Sequence, residues 1–168
     1  MQAPVVVVDY DPAWPGTFEE IAAGVRPVLA AHWRIEHVGS TAVVGLAAKP
    51  IIDMDVVVAS ADEVSAAVAS LVELGYVHQG DQGIPGREAM RHPNPTPWHH
   101  LYVVVDGSPP YRDHADLRDY LRQNPSAAAA YAAEKRRRAP LLVSDRQAYQ
   151  DAKAGVVEAL LREARSGP

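Results

Sequence analysis

Residues 35–58 read IEHVGSTAVVGLAAKPIIDMDVVV, and this stretch decides the fold. Arg34 to Val38 reads as a strand, and Gly39-Ser40-Thr41 follows directly. Ile51 to Val58 is a second strand, apolar except for Asp53 and Asp55. Successive side chains of a strand point to opposite faces, so the two aspartates share one face, roughly 6.6 Å apart along the strand. Ile52, Met54 and Val56 face the other way. Two carboxylates at about 5 Å repel by roughly 3 kcal/mol even at an effective dielectric near 20. A core strand does not carry that repulsion without compensation. One compensation is a divalent cation, with magnesium suited to one or two aspartates plus substrate phosphates. The other is an edge strand whose acids face water or pair with a nearby lysine or arginine.

The neighbouring residues bear on that choice. A glycine at a strand end lets backbone amides approach a phosphate, and the Ser40 hydroxyl adds a donor. The same Gly39-Ser40 pair also serves as a plain turn. Lys49 precedes Pro50 at the entrance to the aspartate strand. As a point cation it could meet a phosphate or neutralise an aspartate, or it could sit solvated in the loop.

Working outward, Val5 to Asp9 is a short β-branched run that predicts a strand. Asp11-Pro12 signals a helix start, and the helix can run to about His32 with a kink or split at Pro27. Ser60 to Glu63 fits a capping box, followed by Val64, Ala67, Val68 and Leu71 at helical spacing up to Gly75. Tyr76 to Gln79 and Arg87 to His92 predict two strands around a glycine-rich loop. Pro93 to Pro97 is a break, and Trp98 to Asp106 is a strong strand. Three helices follow: Tyr111 to Gln123, Ser126 to Arg138 capped by Asn124-Pro125, and one opened by the capping box Ser144 to Gln147 and running to about Arg165. Strands interleaved with helices and then a helical tail predict an α+β fold with a mixed sheet.

Composition limits the function. The chain has 168 residues, of which 48% are hydrophobic and 22% charged, which suits one soluble domain spanning residues 1–168. It has no cysteine, which excludes disulfides, thiolate metal clusters and a cysteine nucleophile. Sixteen basic and 21 acidic residues give a net charge of -5, which argues against a broad nucleic-acid coat. The run Lys135-Arg136-Arg137-Arg138 spreads around a helix and makes no single basic face. No apolar run reaches the roughly 18 residues of a membrane span, and the N-terminus lacks a signal-peptide layout, so a cytoplasmic location is expected.

These residues together resemble the GrpB family, whose fold is similar to that of the polymerase-β-like nucleotidyltransferases. The resemblance rests on the 35–58 block. It extends through Tyr10-Asp11 with Trp14 and Phe18, Gly83 to Arg87, His99 to Val103, Leu117 to Arg122, Tyr131, Lys135, and Tyr149 with Lys153. Similar domains also occur fused to dephospho-coenzyme-A kinases. The resemblance implies a nucleotidyltransferase-like mixed sheet flanked by helices, with a helical C-terminal half. It implies transfer of a nucleotidyl group from a nucleoside triphosphate to a small-molecule acceptor, or else an accessory module that keeps the cleft without the chemistry.

Carried over residue by residue, Gly39 and Ser40 match the phosphate turn, and Asp53 and Asp55 match the metal ligands of a magnesium or manganese ion. The superfamily's third carboxylate has no counterpart here, and His100 stands where it is looked for. His100 could be a third ligand or a general base, or a hydrogen-bonded histidine with no chemical role. Tyr102 shares its face of the strand, where the family favours a second histidine, and His99 faces the other way. Arg87 could grip a phosphate or carboxylate through two bonds. Arg118, Lys135 and Lys153 could line the cleft from the helical side, or be solvated helix charges.

Overall fold

The computed structural model describes residues 6–166. Its centre is a five-stranded mixed sheet of β1 (Arg34–Val38), β2 (Ile52–Val58), β3 (Val77–His78), β4 (Arg87–Arg91) and β5 (His99–Val105). The strand order is β1-β2-β5-β4-β3. Only the central β2–β5 pair is parallel; β1, β4 and β3 join antiparallel.

The residues that make β2 a strand also make it central. Six of its seven side chains, all but Asp53, are buried. Ile52, Met54, Val56 and Val58 point into a core built with Trp14, Phe18, Ile21 and Val25 of α1 (Trp14–Val25) and Ala67 and Leu71 of α2 (Val64–Glu73). Each such side chain contributes about 1.5–3 kcal/mol on burial. The aspartate face looks the other way. It lies under α3 (Pro109–Gln123), α4 (Pro125–Arg138) and α6 (Arg146–Ser166), with the short α5 (Leu141–Ser144) joining the last two. Those helices have their own core of Leu121, Ala128, Tyr131, Ala132 and Leu160, closed by Val43, Leu46 and Ala47 from the loop after β1.

Local chemistry explains the boundaries. The Asp11 carboxylate accepts the Ala13 amide at 2.8 Å and starts α1. The α-helix ends at Val25, and a 3-10 turn over Arg26–Val28 carries Pro27 before the chain turns extended at Leu29. The predicted split at Pro27 is therefore present, and the helix stops short of His32. The predicted N-terminal strand is reduced to a single bridge between Val8 and Ala48. Pro50, two residues on from Ala48, has no N–H with which to extend a ladder; Val5 lies outside the described residues. The strand expected at Tyr76 to Gln79 shortens to Val77–His78, while α3 begins two residues earlier than expected, at Pro109.

Both capping boxes close differently from the prediction. Glu63 reaches back to the amide of Ala59 at 2.9 Å, and no side-chain bond comes from Ser60. The cap of α6 is Asp145, which accepts the Ala148 amide at 2.9 Å; the Ser144 hydroxyl turns back to the Pro140 carbonyl. Asn124 likewise spends its side chain on the preceding helix, donating to the Tyr120 carbonyl at 2.8 Å.

Candidate functional site

The loop between β1 and β2 brings Gly39 against the first aspartate. Gly39 has φ +72, a backbone conformation that L side chains rarely adopt. A Cβ built there would lie 2.6 Å from Asp53 Oδ2 and 3.0 Å from its Cβ. Glycine is thus required by backbone and by space. Ser40 opens a 3-10 turn over Ser40–Ala42, and its Oγ accepts a bond from Lys135 Nζ at 2.9 Å. Lys135 comes from α4, is only 6% exposed, and lies 4.4 Å over the Tyr131 ring. Burial first, then the charges of Lys153, Arg136 and Lys49, pull its ammonium down to about 7. The sequence offered this lysine only as a wall of the cleft; the structure puts it on the serine.

The two aspartates do share a face, and each is met by a histidine. Asp53 Oδ1 accepts from His100 Nδ1 at 2.9 Å across the parallel β2–β5 pair, where the two residues are in register. The Asp53 side chain remains 32% exposed to the cleft. Burial alone would push its carboxyl up, but the bond and charge of His100, with the charges of Lys153 and His114, bring it below the ordinary value. Asp55 is fully buried, and both its oxygens lie within bonding distance of His114 Nδ1, at 3.0 and 2.8 Å. Burial pushes the Asp55 carboxyl up. Burial opposes a charge on His114 as well, but Asp55 overrides it and pushes the imidazole up. Both groups are thus pushed toward their protonated forms.

His114 was not foreseen. It sits on α3, 59 residues from its partner, in a polar helical run with no local signal. Glu36 was also missed, although strand alternation could have found it. It stands opposite Asp55 in the β1–β2 register and accepts from Arg118 at 3.0 Å and from the Tyr111 hydroxyl at 3.1 Å. Arg118 therefore clamps α3 to β1, bonding Glu36, Asp119 and the His37 carbonyl. His99 faces the opposite side, as strand alternation required, and bonds Tyr76 and the Pro97 carbonyl.

Asp53, Ser40 and His100 open onto a cleft of about 1110 Å³, whose walls also carry Lys49, Arg87, Lys135, Lys153 and Tyr102. Lys49 lies 6.0 Å over the Tyr149 ring, and the Arg87 guanidinium lies 4.5 Å over the Tyr102 ring. In a chain of net charge -5, this is a local concentration of cations around Asp53, with Asp151 the other carboxylate on the cleft wall. Of the expected site residues, the structure brings Gly39, Ser40, Lys49, Asp53, Arg87, His100, Tyr102, Lys135 and Lys153 together. It places Asp55 behind them and uses Arg118 as a clamp.

The profile of the GrpB protein family matches residues 4–163. The chain belongs to the GrpB family. Its fold is that of the crystal structure of conserved protein GrpB from Enterococcus faecalis, with TM-score 0.82 and 33% identity over 95% of this chain and 96% of that one. A UPF0157 protein of Halalkalibacterium halodurans is 33% identical over 98% of this chain and 84% of its own length. The UPF0157 protein YqkA of Bacillus subtilis is 34% identical over 79% of this chain, and the match spans 39% of that longer relative. The expected GrpB membership and the α+β fold with a mixed sheet and helical C-terminal half both hold.

The sequence led us to expect a divalent cation at the aspartate pair, and the donor set bears on that expectation. Asp53 is ionised, faces the cleft and is oriented by His100, which suits one ion completed by phosphate oxygens. Asp55 is fully buried against His114 and does not line the cleft. Among the described residues no three histidine, aspartate or glutamate side chains are gathered on one point. The residues fit a single cation that shares its ligands with a substrate. No helix among the described residues is long and apolar enough to cross a membrane.

Proposed function

We propose that this chain transfers a nucleotidyl group from a nucleoside triphosphate to a small acceptor, with the help of a divalent cation. The observation that carries the reading is the contact of Gly39 with Asp53. It supports the reading because the Gly39-Ser40 turn, the Ser40 hydroxyl with its lysine, and the Asp53 carboxylate lie together beside a cation-rich cleft.

The division of labour follows from position. Ser40, Lys135 and Lys49 hold the phosphate chain, and charge on the bound phosphates favours the protonated form of Lys135. Asp53 would hold a magnesium or manganese ion together with phosphate oxygens, and such an ion neutralises charge on the phosphates during in-line displacement. His100 donates from Nδ1 to Asp53, which fixes the carboxylate and leaves Nε2 to accept a proton. The acceptor oxygen attacks the α-phosphorus and the bond to the bridging oxygen breaks. Pyrophosphate leaves, and the acceptor's proton passes to His100 Nε2. Coordination by Asp55 would require His114 to let go of it.

Calorimetry with ATP, GTP, CTP and UTP, each with magnesium or manganese, tests the reading. At least one nucleotide is expected to bind with a cation and to release pyrophosphate when the acceptor is present. A folded protein that binds none of the four overturns it. The sealing of Asp55 by His114 favours a second reading, a nucleotide-binding module without turnover. Binding of a labelled nucleotide that never yields pyrophosphate or a labelled product would select it.

A further inference from the structure

Beyond Asp53 the cleft continues into a smaller chamber of about 320 Å³. It shares Ser40, Asp53, Arg87, Tyr102 and Lys153 with the larger space, but Lys49 and Lys135 do not line it. Its inner wall is apolar, from Leu117 and Leu121 of α3, Tyr131 of α4 and Val157 of α6.

Two observations mark the chamber as a binding site. Arg87 Nε is buried and has no hydrogen-bond partner among the described residues. Leaving a buried donor unmet costs about 1–3 kcal/mol, and more when the group is charged. The guanidinium carbon lies 4.5 Å from the Tyr102 ring centroid, and Arg87 lines the chamber. Lys153 also lines the chamber and makes no hydrogen bond or ion pair among the described residues. The carboxylates in and behind this wall each meet a hydrogen-bond partner: Asp53 has His100, Asp55 has His114, and Glu36 and Asp119 share Arg118. Besides Arg118, which Glu36 and Asp119 hold, the lining therefore sets two cations, Arg87 and Lys153, beside one carboxylate, Asp53, and an apolar wall.

We propose that this chamber binds a small carboxylate-bearing molecule with a short apolar body, its carboxylate lying along the edge of Arg87 and its body against Leu117, Leu121 and Val157. The planar guanidinium edge matches a carboxylate through two parallel bonds, which an ammonium cannot do. Lys49 and Lys135, proposed to hold phosphate, line the larger space and not this chamber, and the apolar wall suits a hydrocarbon body better than a second phosphate. In the transfer reaction this molecule is the acceptor. That last identification rests on the proposed function; the binding itself does not.

The test follows the Arg87 Nε–Hε signal by nitrogen-15 NMR while isovalerate, 2-hydroxyisovalerate and leucine are titrated in without nucleotide. Isovaleramide and inorganic phosphate serve as controls. The carboxylates are expected to saturate a shift of that signal, and isovaleramide to leave it unmoved. Arg87→Lys, which lacks that signal and is read by calorimetry beside the parent, is expected to weaken carboxylate binding by about tenfold or more, the loss of a charge-assisted paired bond. Val157→Phe, which fills the chamber from α6, should weaken it without touching the arginine. Inorganic phosphate that saturates the signal while the carboxylates do not overturns the proposed ligand class. Carboxylate binding unchanged in both variants overturns the site. Nucleotide binding with no carboxylate effect sinks this inference and spares the proposed function. Carboxylate binding in a protein that ignores all four nucleotides does the reverse.

Discussion

Lys135 shows how one buried side chain can report on a site. Its ammonium sits on Ser40 under the Tyr131 ring, with burial and three neighbouring cations pulling it down to about 7. In the unfolded chain a lysine titrates near 10.4. Between those two values the unfolded chain binds more protons than the folded one, so this residue makes stability rise with pH. The cost of the buried charge is complete below the folded value and fades as pH approaches the unfolded one. Lys135→Met removes that dependence. Denaturation of the variant and the parent from about pH 6 to about pH 9 should show the variant losing roughly 2–3 kcal/mol of relative advantage. A parallel pair of pH profiles would mean the lysine titrates normally. Gly39 makes the complementary case. With φ +72 and Asp53 Oδ2 only 2.6 Å from a built Cβ, Gly39→Ala must move either the turn or the carboxylate. A loss of about 1–3 kcal/mol in chemical denaturation is expected, together with loss of nucleotide binding.

At the scale of elements, the parts that could be read from sequence are those whose signal is local. Ile52–Val58 is a strand because its residues are β-branched and alternate around two acids, and neither fact depends on a partner. The split after α1 was legible because Pro27 acts on its own turn. The burial of Lys135 against Ser40 was not, because the residue opens a run of four cations that reads as a solvated helix surface or, at most, a cleft wall. In α4 the run does spread: Arg137 and Arg138 turn out to Glu134 while Lys135 turns in. His114 could not be read either, since its meaning lies in a contact with a strand 59 residues away. Capping shows a finer limit. Ser144 and Asp145 are both good caps by type, and the choice between them depends on where α5 ends. The structure selects Asp145. Asp145→Ala should therefore cost about 1 kcal/mol in thermal or chemical denaturation, and Ser144→Ala little. The reverse order would place the start of α6 one residue earlier.

For the molecule as a whole, the sheet separates two jobs. One face is a hydrocarbon core under α1 and α2, where stability lies. The other carries Glu36, Asp53, Asp55, His100 and Tyr102 under the helical half, and each acid there is met by a basic or histidine partner from another element. The sequence showed the first face almost completely and the second only as a set of polar residues. Which acid stays open to the cleft and which is sealed is a property of how α3 docks, and no spacing along β2 contains it. That asymmetry narrows the functional claim to Asp53 and the Gly39-Ser40 turn acting together on a nucleotide and a cation. Manganese electron paramagnetic resonance, titrated with and without nucleoside triphosphate in the parent and in Asp53→Asn, tests it most directly. The asparagine can keep a bond to His100 while losing the charge. The account predicts manganese binding that depends on nucleotide in the parent and disappears in the variant; manganese binding that ignores the nucleotide, or survives the substitution unchanged, would contradict it.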